Sequence, residues 1–214
     1  MKKHNKGTFI TFEGGEGAGK STVVKLVEKL LVSKNFNVFL TREPGGTGLK
    51  FSEEIRRVIM EYDDIDPITE LFLFNASRRE HMSKKIIPSL NKGEIVISDR
   101  FSDSTYIYQC IVKGVDPKIF FQVNKIIVED NDPSLVFIFD IDPEEGLKRI
   151  SSKKRTTNRF DQEDINFHKK IREAYLELYK TNKSKYILID ASKSLEDITK
   201  EISEKIIDYV NKIK

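Results

Sequence analysis

Residues 14–21 read Gly14-Gly15-Glu16-Gly17-Ala18-Gly19-Lys20-Ser21, which satisfies G-x-x-x-x-G-K-[ST] and leaves this chain few folds to choose from. Ahead of the run lies a β-branched and aromatic stretch at residues 8–12. Behind it an apolar periodicity passes through Val23, Val24, Leu26, Val27, Leu30 and Leu31. A strand therefore runs through a glycine-rich loop into a helix. Glycines let the backbone curl until successive N–H groups point at one anion, and the positive end of the helix dipole adds to the attraction. Within this loop, and on into Thr22, Lys20 is suited to reach the β- and γ-phosphates of ATP, while the Ser21 hydroxyl is suited to the accompanying Mg2+. The loop alone does not separate kinases from GTPases, motors or transporter subunits.

Further short runs at residues 37–40, 95–98, 135–139 and 186–189 have the same strand-like composition. Helical periodicity fills the gaps, as in Ile165, Ile171, Tyr175 and Leu178, or Leu195, Ile198, Ile202, Ile206 and Tyr209. Alternating strands and helices imply an α/β fold in three layers, with a mostly parallel sheet of five strands covered by helices on both faces. A chain of 214 residues fits one domain spanning 1–214. Its 37 basic and 34 acidic residues are dispersed, so nothing suggests a nucleic-acid footprint. Cys110 is the sole cysteine, which excludes an intramolecular disulfide framework and fits a reducing, cytoplasmic setting. No apolar stretch of signal-peptide or membrane-spanning length is present, so a soluble protein without membrane attachment is expected. One segment is polar and basic throughout: residues 151–159, from Ser151 to Arg159, read as a solvated, mobile piece within a lid at about 151–163.

Several side chains are candidates for chemistry. Asp99 and Arg100 follow the strand at 95–98 and should emerge at the carboxyl edge of the sheet, beside the phosphate loop. Asp99 would hold Mg2+ through water or orient Arg100, and Arg100 would clamp the phosphate between acceptor and donor. Thr41-Arg42-Glu43-Pro44-Gly45-Gly46-Thr47 reads as a loop, because Pro44 and the paired glycines break both strand and helix. Arg56, on the helix after it, offers a second anion contact. Phe74 and Arg78 stand one helical turn apart, so an aromatic face and a guanidinium share one side of a helix. Thr105, Tyr108 and Gln109 likewise share a face on the helix after Arg100. His81 and His168 have no partners at metal-ligand spacing and read as surface or helix residues.

Taken together, the run from Phe12 to Thr22, the run from Thr41 to Thr47, Leu73-Phe74-Asn75-Ala76-Ser77-Arg78-Arg79-Glu80-His81 and Asp99-Arg100-Phe101 resemble bacterial thymidylate kinases in residues, order and spacing. The resemblance implies a P-loop kinase fold and transfer of the ATP γ-phosphoryl group to dTMP, with Mg2+. It places Gly14, Gly15, Glu16, Gly17, Ala18, Gly19, Lys20, Ser21, Thr22 and, against adenine, Arg149 around ATP. Around the acceptor it places Glu43 and Arg56 near the phosphate, Phe74 stacked on the pyrimidine and Arg78 on a base carbonyl. Thr105 and Gln109 would read the base edge, Tyr108 would crowd the sugar 2′ position, and Glu16 would meet the 3′-hydroxyl. The phosphate loop has Gly17-Ala18 where some relatives carry an arginine, so the resemblance assigns catalytic charge to Lys20, Arg100 and the lid arginines Arg155 and Arg159. Many relatives have an aspartate at position 158, where this chain has Asn158, and Asp161 is the residue expected to take over. Related kinases are usually homodimers, and apolar residues near 71–74 and 107–111 suit either an interface or the core.

Two competing readings are another nucleotide or deoxynucleoside kinase, and a P-loop regulatory ATPase or GTPase. The GTPase reading expects an Asn-Lys-x-Asp element. Asn124-Lys125-Ile126-Ile127 and Asn182-Lys183-Ser184-Lys185 both lack its aspartate.

Overall fold

In the computed structural model, which describes residues 6–152 and 158–213, five strands form one all-parallel sheet in the order β2-β3-β1-β4-β5. The strands are β1 (Thr8–Gly14), β2 (Val38–Arg42), β3 (Ile95–Asp99), β4 (Leu135–Asp140) and β5 (Tyr186–Asp190). Each ends one or two residues beyond the span expected from sequence. The β2 extension is a correction: Thr41 and Arg42 belong to the strand, and the loop begins at Glu43. Both are held there by pairing with Ser98 and Asp99 of β3.

The helices are α1 (Lys20–Ser33), α2 (Lys50–Glu61), α3 (Pro67–His81), α4 (Ile87–Asn91), α5 (Ser102–Thr105), α6 (Pro117–Val128), α7 (Pro143–Ser151), α8 (Ile165–Thr181) and α9 (Leu195–Ile213). Three of them start the same way. Asp66-Pro67, Asp116-Pro117 and Asp142-Pro143 set an aspartate at the N-cap, whose side chain accepts from backbone N–H groups of the first turn, and a proline at the first helical position. The helical stretch expected over 68–89 is one path in two segments. α3 passes through a π-helical turn, Met82–Ile86, into α4, just before Pro88, which has no N–H to give a regular helix. A second π-helical turn, Tyr106–Val112, extends α5.

Because the side chains of a strand alternate between faces, β1 feeds two cores. Ile10 and Phe12 pack with α1 and α9 through Val23, Val27, Leu31, Ile198, Ile202 and Ile206. Phe9 faces the other way, toward Met82, Ile86, Val96 and Phe101. Beside that second core, Val136 and Ile138 of β4 meet Ile171 and Tyr175 of α8 and Ile107 and Tyr108. β1 is central and buried along its whole length. Ile10→Ala should therefore cost about 3 kcal/mol, read as a lower urea midpoint at unchanged m-value.

Candidate active site

The register of the central strands decides where chemistry collects. Phe12 of β1 pairs with Asp99 of β3, so the loop leaving β1 and the Asp99-Arg100 pair leave the sheet at the same edge. Arg100 is held there by its own N–H, which donates to Phe12 O at 2.9 Å. Its backbone is left-handed at φ 70°, uncommon for a residue with a Cβ. That turn sends the guanidinium back across the phosphate loop, where it donates to Glu16 at 2.6 Å, to Gly14 O at 3.0 Å and to Ser104 at 3.0 Å, and lies over the Tyr108 ring. Burial works against its charge. The Glu16 carboxylate and the Tyr108 and Tyr175 hydroxyls outweigh that, so its pKa stands well above the ordinary value.

The phosphate loop is equally constrained. Gly17 has φ 73°, and a Cβ there would lie 2.0 Å from the carbonyl oxygen of Gly146 on α7. A Cβ on Gly146 would in turn lie 2.6 Å from Glu16 O. Two glycines thus let α7 press directly on the loop. Lys20 folds back to donate to Gly14 O at 2.9 Å and Gly15 O at 2.6 Å. Burial, then the charge of Arg100, lowers its pKa to about 8. Ser21 Oγ donates a short hydrogen bond to the Asp99 carboxylate, which brings the two proposed metal-binding groups together.

Behind the loop stands Glu13, wholly buried at the end of β1. Its carboxylate accepts from Phe101 N at 2.7 Å, Ser104 Oγ at 2.6 Å and the Tyr175 hydroxyl at 2.9 Å. Burial, and after it the nearby Asp103 charge, pushes its pKa up to about 7. Ser104 is shared between Glu13 and Arg100, so the deep carboxylate helps to set the guanidinium in place.

A cavity of about 350 Å³ opens from the loop toward α3 and α5. Lys20, Ser21, Asp99 and Arg100 line its end beside the glycine-rich loop, and Arg149 with Ile150 lines the side near α7. Arg149 is braced by Glu145 and by Ala191 O. At the other end stand Phe74, Arg78, Thr105, Tyr108 and Gln109, with Glu43 and Arg56 between. Arg78 is only 1% exposed, and much of its hydrogen bonding goes to the protein: Nε to Glu43 at 2.7 Å, Nη1 to Asn75 at 3.3 Å and Nη2 to Thr105 at 2.8 Å. Glu43 also meets His81 Nδ1 at 3.1 Å, and His81 Nε2 lies 2.8 Å from Thr41 Oγ1. Arg56 donates to Pro44 O at 3.2 Å, and the Tyr108 hydroxyl donates to Glu16 at 3.1 Å.

Arg159 stands apart from the cavity wall. It lies over the Phe160 ring and pairs closely with Glu70 of α3. The expectation that residue 159 is solvated is corrected, because Phe160 belongs to the core and draws Arg159 in with it. Asn158 and Asp161 form a reciprocal capping box around this turn, so Asp161 serves the backbone at position 158. Arg155 lies outside the described residues. Of the surface and helix readings for His81 and His168 the helix one holds: His81 ends α3 and His168 lies in α8, and both are buried. Arg42, Ser104, Tyr175 and Glu13 were not singled out from sequence, yet all four shape the site. Arg42 lines the cavity and pairs with both oxygens of Glu53. Arg42 and Glu13 each sit inside a run quoted for the family resemblance, which was the available signal for those two.

A phosphate loop at one end of a cavity, with an aromatic and an arginine at the other and a half-buried Arg100 beside the loop, defines a P-loop protein of the nucleotide kinase class. The thymidylate kinase family model matches residues 12–202. A thymidylate kinase of Geobacillus sp. (strain WCH70) is 41% identical over 208 residues, covering 96% of this chain and 98% of the relative. One of Staphylococcus epidermidis is 43% identical over 203 residues, 95% and 98% of the two chains. The crystal structure of thymidylate kinase from Ehrlichia chaffeensis superposes with a TM-score of 0.75 at 32% identity, over 94% of this chain and 98% of that one. The chain belongs to the thymidylate kinase family.

The depressed Lys20 pKa has a measurable sign. A phosphate chain favours the charged lysine, so above pH 8 the free enzyme must take up a proton to bind ATP, and affinity falls as pH rises. Calorimetry at pH 9 in buffers of different ionisation enthalpy should show uptake of about one proton per ATP bound. No net uptake would contradict the assignment.

Proposed function

We propose that this protein is a dTMP kinase that moves the γ-phosphoryl group of ATP onto the dTMP phosphate, giving dTDP and ADP. The observation that carries the reading is a single cavity with Lys20 and the phosphate loop at one end, Phe74, Arg78 and Gln109 at the other, and Arg100 between. The acceptor is a phosphate oxygen, already anionic near neutral pH, so the residues need only align two polyanions and neutralise charge. Lys20 takes the donor phosphates and Arg100 takes the acceptor phosphate, with Arg56 beside it. Glu16, which meets Arg100 and Tyr108, is the candidate for the sugar 3′-hydroxyl. Tyr108 then lies along the sugar and favours deoxyribose. Arg155 remains the lid arginine proposed to approach the phosphates, while the Glu70 contact makes a phosphate role for Arg159 depend on release from that pair.

Mg2+ fits as the metal. Ser21 and Asp99 present hard oxygen donors beside the loop, and no cluster of three or more His, Cys, Asp or Glu among the described residues competes for a metal. The ion would arrive with ATP and screen charge on its phosphate oxygens. The single-domain reading over 1–214 stands as a proposal as well. A cytoplasmic location is supported by the unpaired, buried Cys110, and no described helix is long and apolar enough to cross a membrane.

The protein is also proposed to be a homodimer. Phe51 of α2, Ile68 and Phe72 of α3, and Phe121 and Ile126 of α6 are all exposed apolar side chains. These helices pack in series, α2 on α3 and α3 on α6. Of the residues considered from sequence, Leu71 and Ile107 are buried in the core, whereas Phe72 and Ile111 are exposed.

Initial-rate ADP formation with ATP, Mg2+ and a panel of dTMP, dUMP, dCMP, dGMP, UMP and thymidine tests the activity. Strong stimulation by dTMP is expected, falling by at least about 100-fold in Lys20→Ala. ATP hydrolysis independent of acceptor would favour a regulatory ATPase instead. For the assembly, Phe72→Glu should convert a dimer to a monomer in analytical ultracentrifugation, and a wild type that is monomeric throughout would overturn the dimer.

A further inference from the structure

Behind the base end of the cleft, against Gln109 of its wall, lies a buried carboxylate that phosphoryl transfer does not use. Glu70, one turn before Phe74 on α3, is 0% exposed. One of its oxygens accepts from Gln109 Nε2 at 2.8 Å and from Lys113 Nζ at 2.9 Å, and the other pairs with Arg159. Gln109 is also fully buried and forms part of the cavity wall, and its Oε1 has no hydrogen-bond partner among the described residues.

These facts fix an orientation. A carboxylate held by two cationic side chains offers only acceptors, so it takes the amide through its nitrogen. Turning the amide over would set Gln109 Oε1 against a Glu70 oxygen, acceptor against acceptor, where no water can relieve it. The carbonyl oxygen is therefore left for a ligand. Beside it in the same cavity is Arg78, which has five N–H groups and uses three of them on Glu43, Asn75 and Thr105.

We infer that Glu70 is a positioning residue that locks the Gln109 amide with its carbonyl oxygen toward the acceptor base, selecting pyrimidines that carry an N3–H next to a C4 carbonyl. Gln109 accepts from N3–H and Arg78 donates to the carbonyl. Cytosine presents an unprotonated N3 and an amino group, which sets acceptor against acceptor and donor against donor. The inference rests on the dTMP kinase reading and adds the origin of its base choice. It also ties Arg159, at the end of the lid segment, to the base pocket through one shared carboxylate.

The test compares kcat/KM for dTMP and dCMP in the full-length wild type, Glu70→Met, Glu70→Gln and Gln109→Met. Glu70→Met should lower the dTMP-to-dCMP ratio by at least about tenfold. Glu70→Gln, which keeps one carbonyl acceptor, should recover part of that ratio. Gln109→Met should lose it too, with little further loss in the double variant. A merely structural role for Glu70 would depress both acceptors alike, and an unchanged ratio in Glu70→Met would overturn the inference alone. A wild type that does not use dTMP would overturn the kinase reading and this inference together. Should Glu70→Met not fold, NMR of the wild-type Gln109 side-chain amide, identified by its loss in Gln109→Met, decides the matter. Slow solvent exchange, retained when dTMP binds, is expected, and exchange at the rate of an exposed amide would overturn the lock.

Discussion

The parallel pairing of β1 with β3 is the constraint on which the rest of the molecule depends. Its register, with Phe12 beside Asp99, puts the phosphate loop and the Asp99-Arg100 pair at one edge of the sheet. A slip of one residue would send each side chain to the opposite face. Ile10 and Phe12 would leave their core, and Glu13 would lose its three donors. Because β1 is covered by apolar residues on both sides, the packing that stabilises the fold is the same packing that aims the catalytic edge.

Around that edge, several buried or half-buried charges are each answered by an opposite one. Arg100 is met by Glu16, Arg78 by Glu43, and Glu70 by Lys113 and Arg159. Removing one member of such a pair strands the other in low dielectric, so these contacts fix geometry more than they add stability. Lys20 differs. It leans on two carbonyl oxygens and lies close to another cation, so its charge is under strain until phosphates arrive. A polyanion bound at the loop would relieve that strain.

Much of this was legible in the sequence because it rests on local chemistry. The loop from Gly14 to Ser21 and the five strands each follow from residues adjacent in the chain. Arg100, Arg78, Glu16 and Glu43 were each candidate site residues from sequence, but their pairing with one another was not legible there. Glu16 is 84 positions from Arg100, and Glu43 is 35 from Arg78. Nothing marked Glu13 out within the run from Phe12 to Thr22, since Ser104 and Tyr175 reach it only through the fold. Arg159 shows the opposite failure: its basic neighbours suggested solvent, while the single aromatic that follows it decided its position. His81 looked unpartnered for the same reason, since Thr41 and Glu43 reach it only across the sheet edge.

The central claim is that one cleft holds two nucleotides with their phosphates meeting at Arg100 and Lys20. A crystal structure with dTMP and a non-hydrolysable ATP analogue tests it most directly. The account predicts the acceptor phosphate on Arg100, the triphosphate wrapped by the loop on Lys20, and the thymine against Phe74 with its N3–H directed at Gln109 Oε1. A dTMP phosphate bound away from Arg100, or a thymine outside the pocket of Phe74 and Gln109, would contradict it.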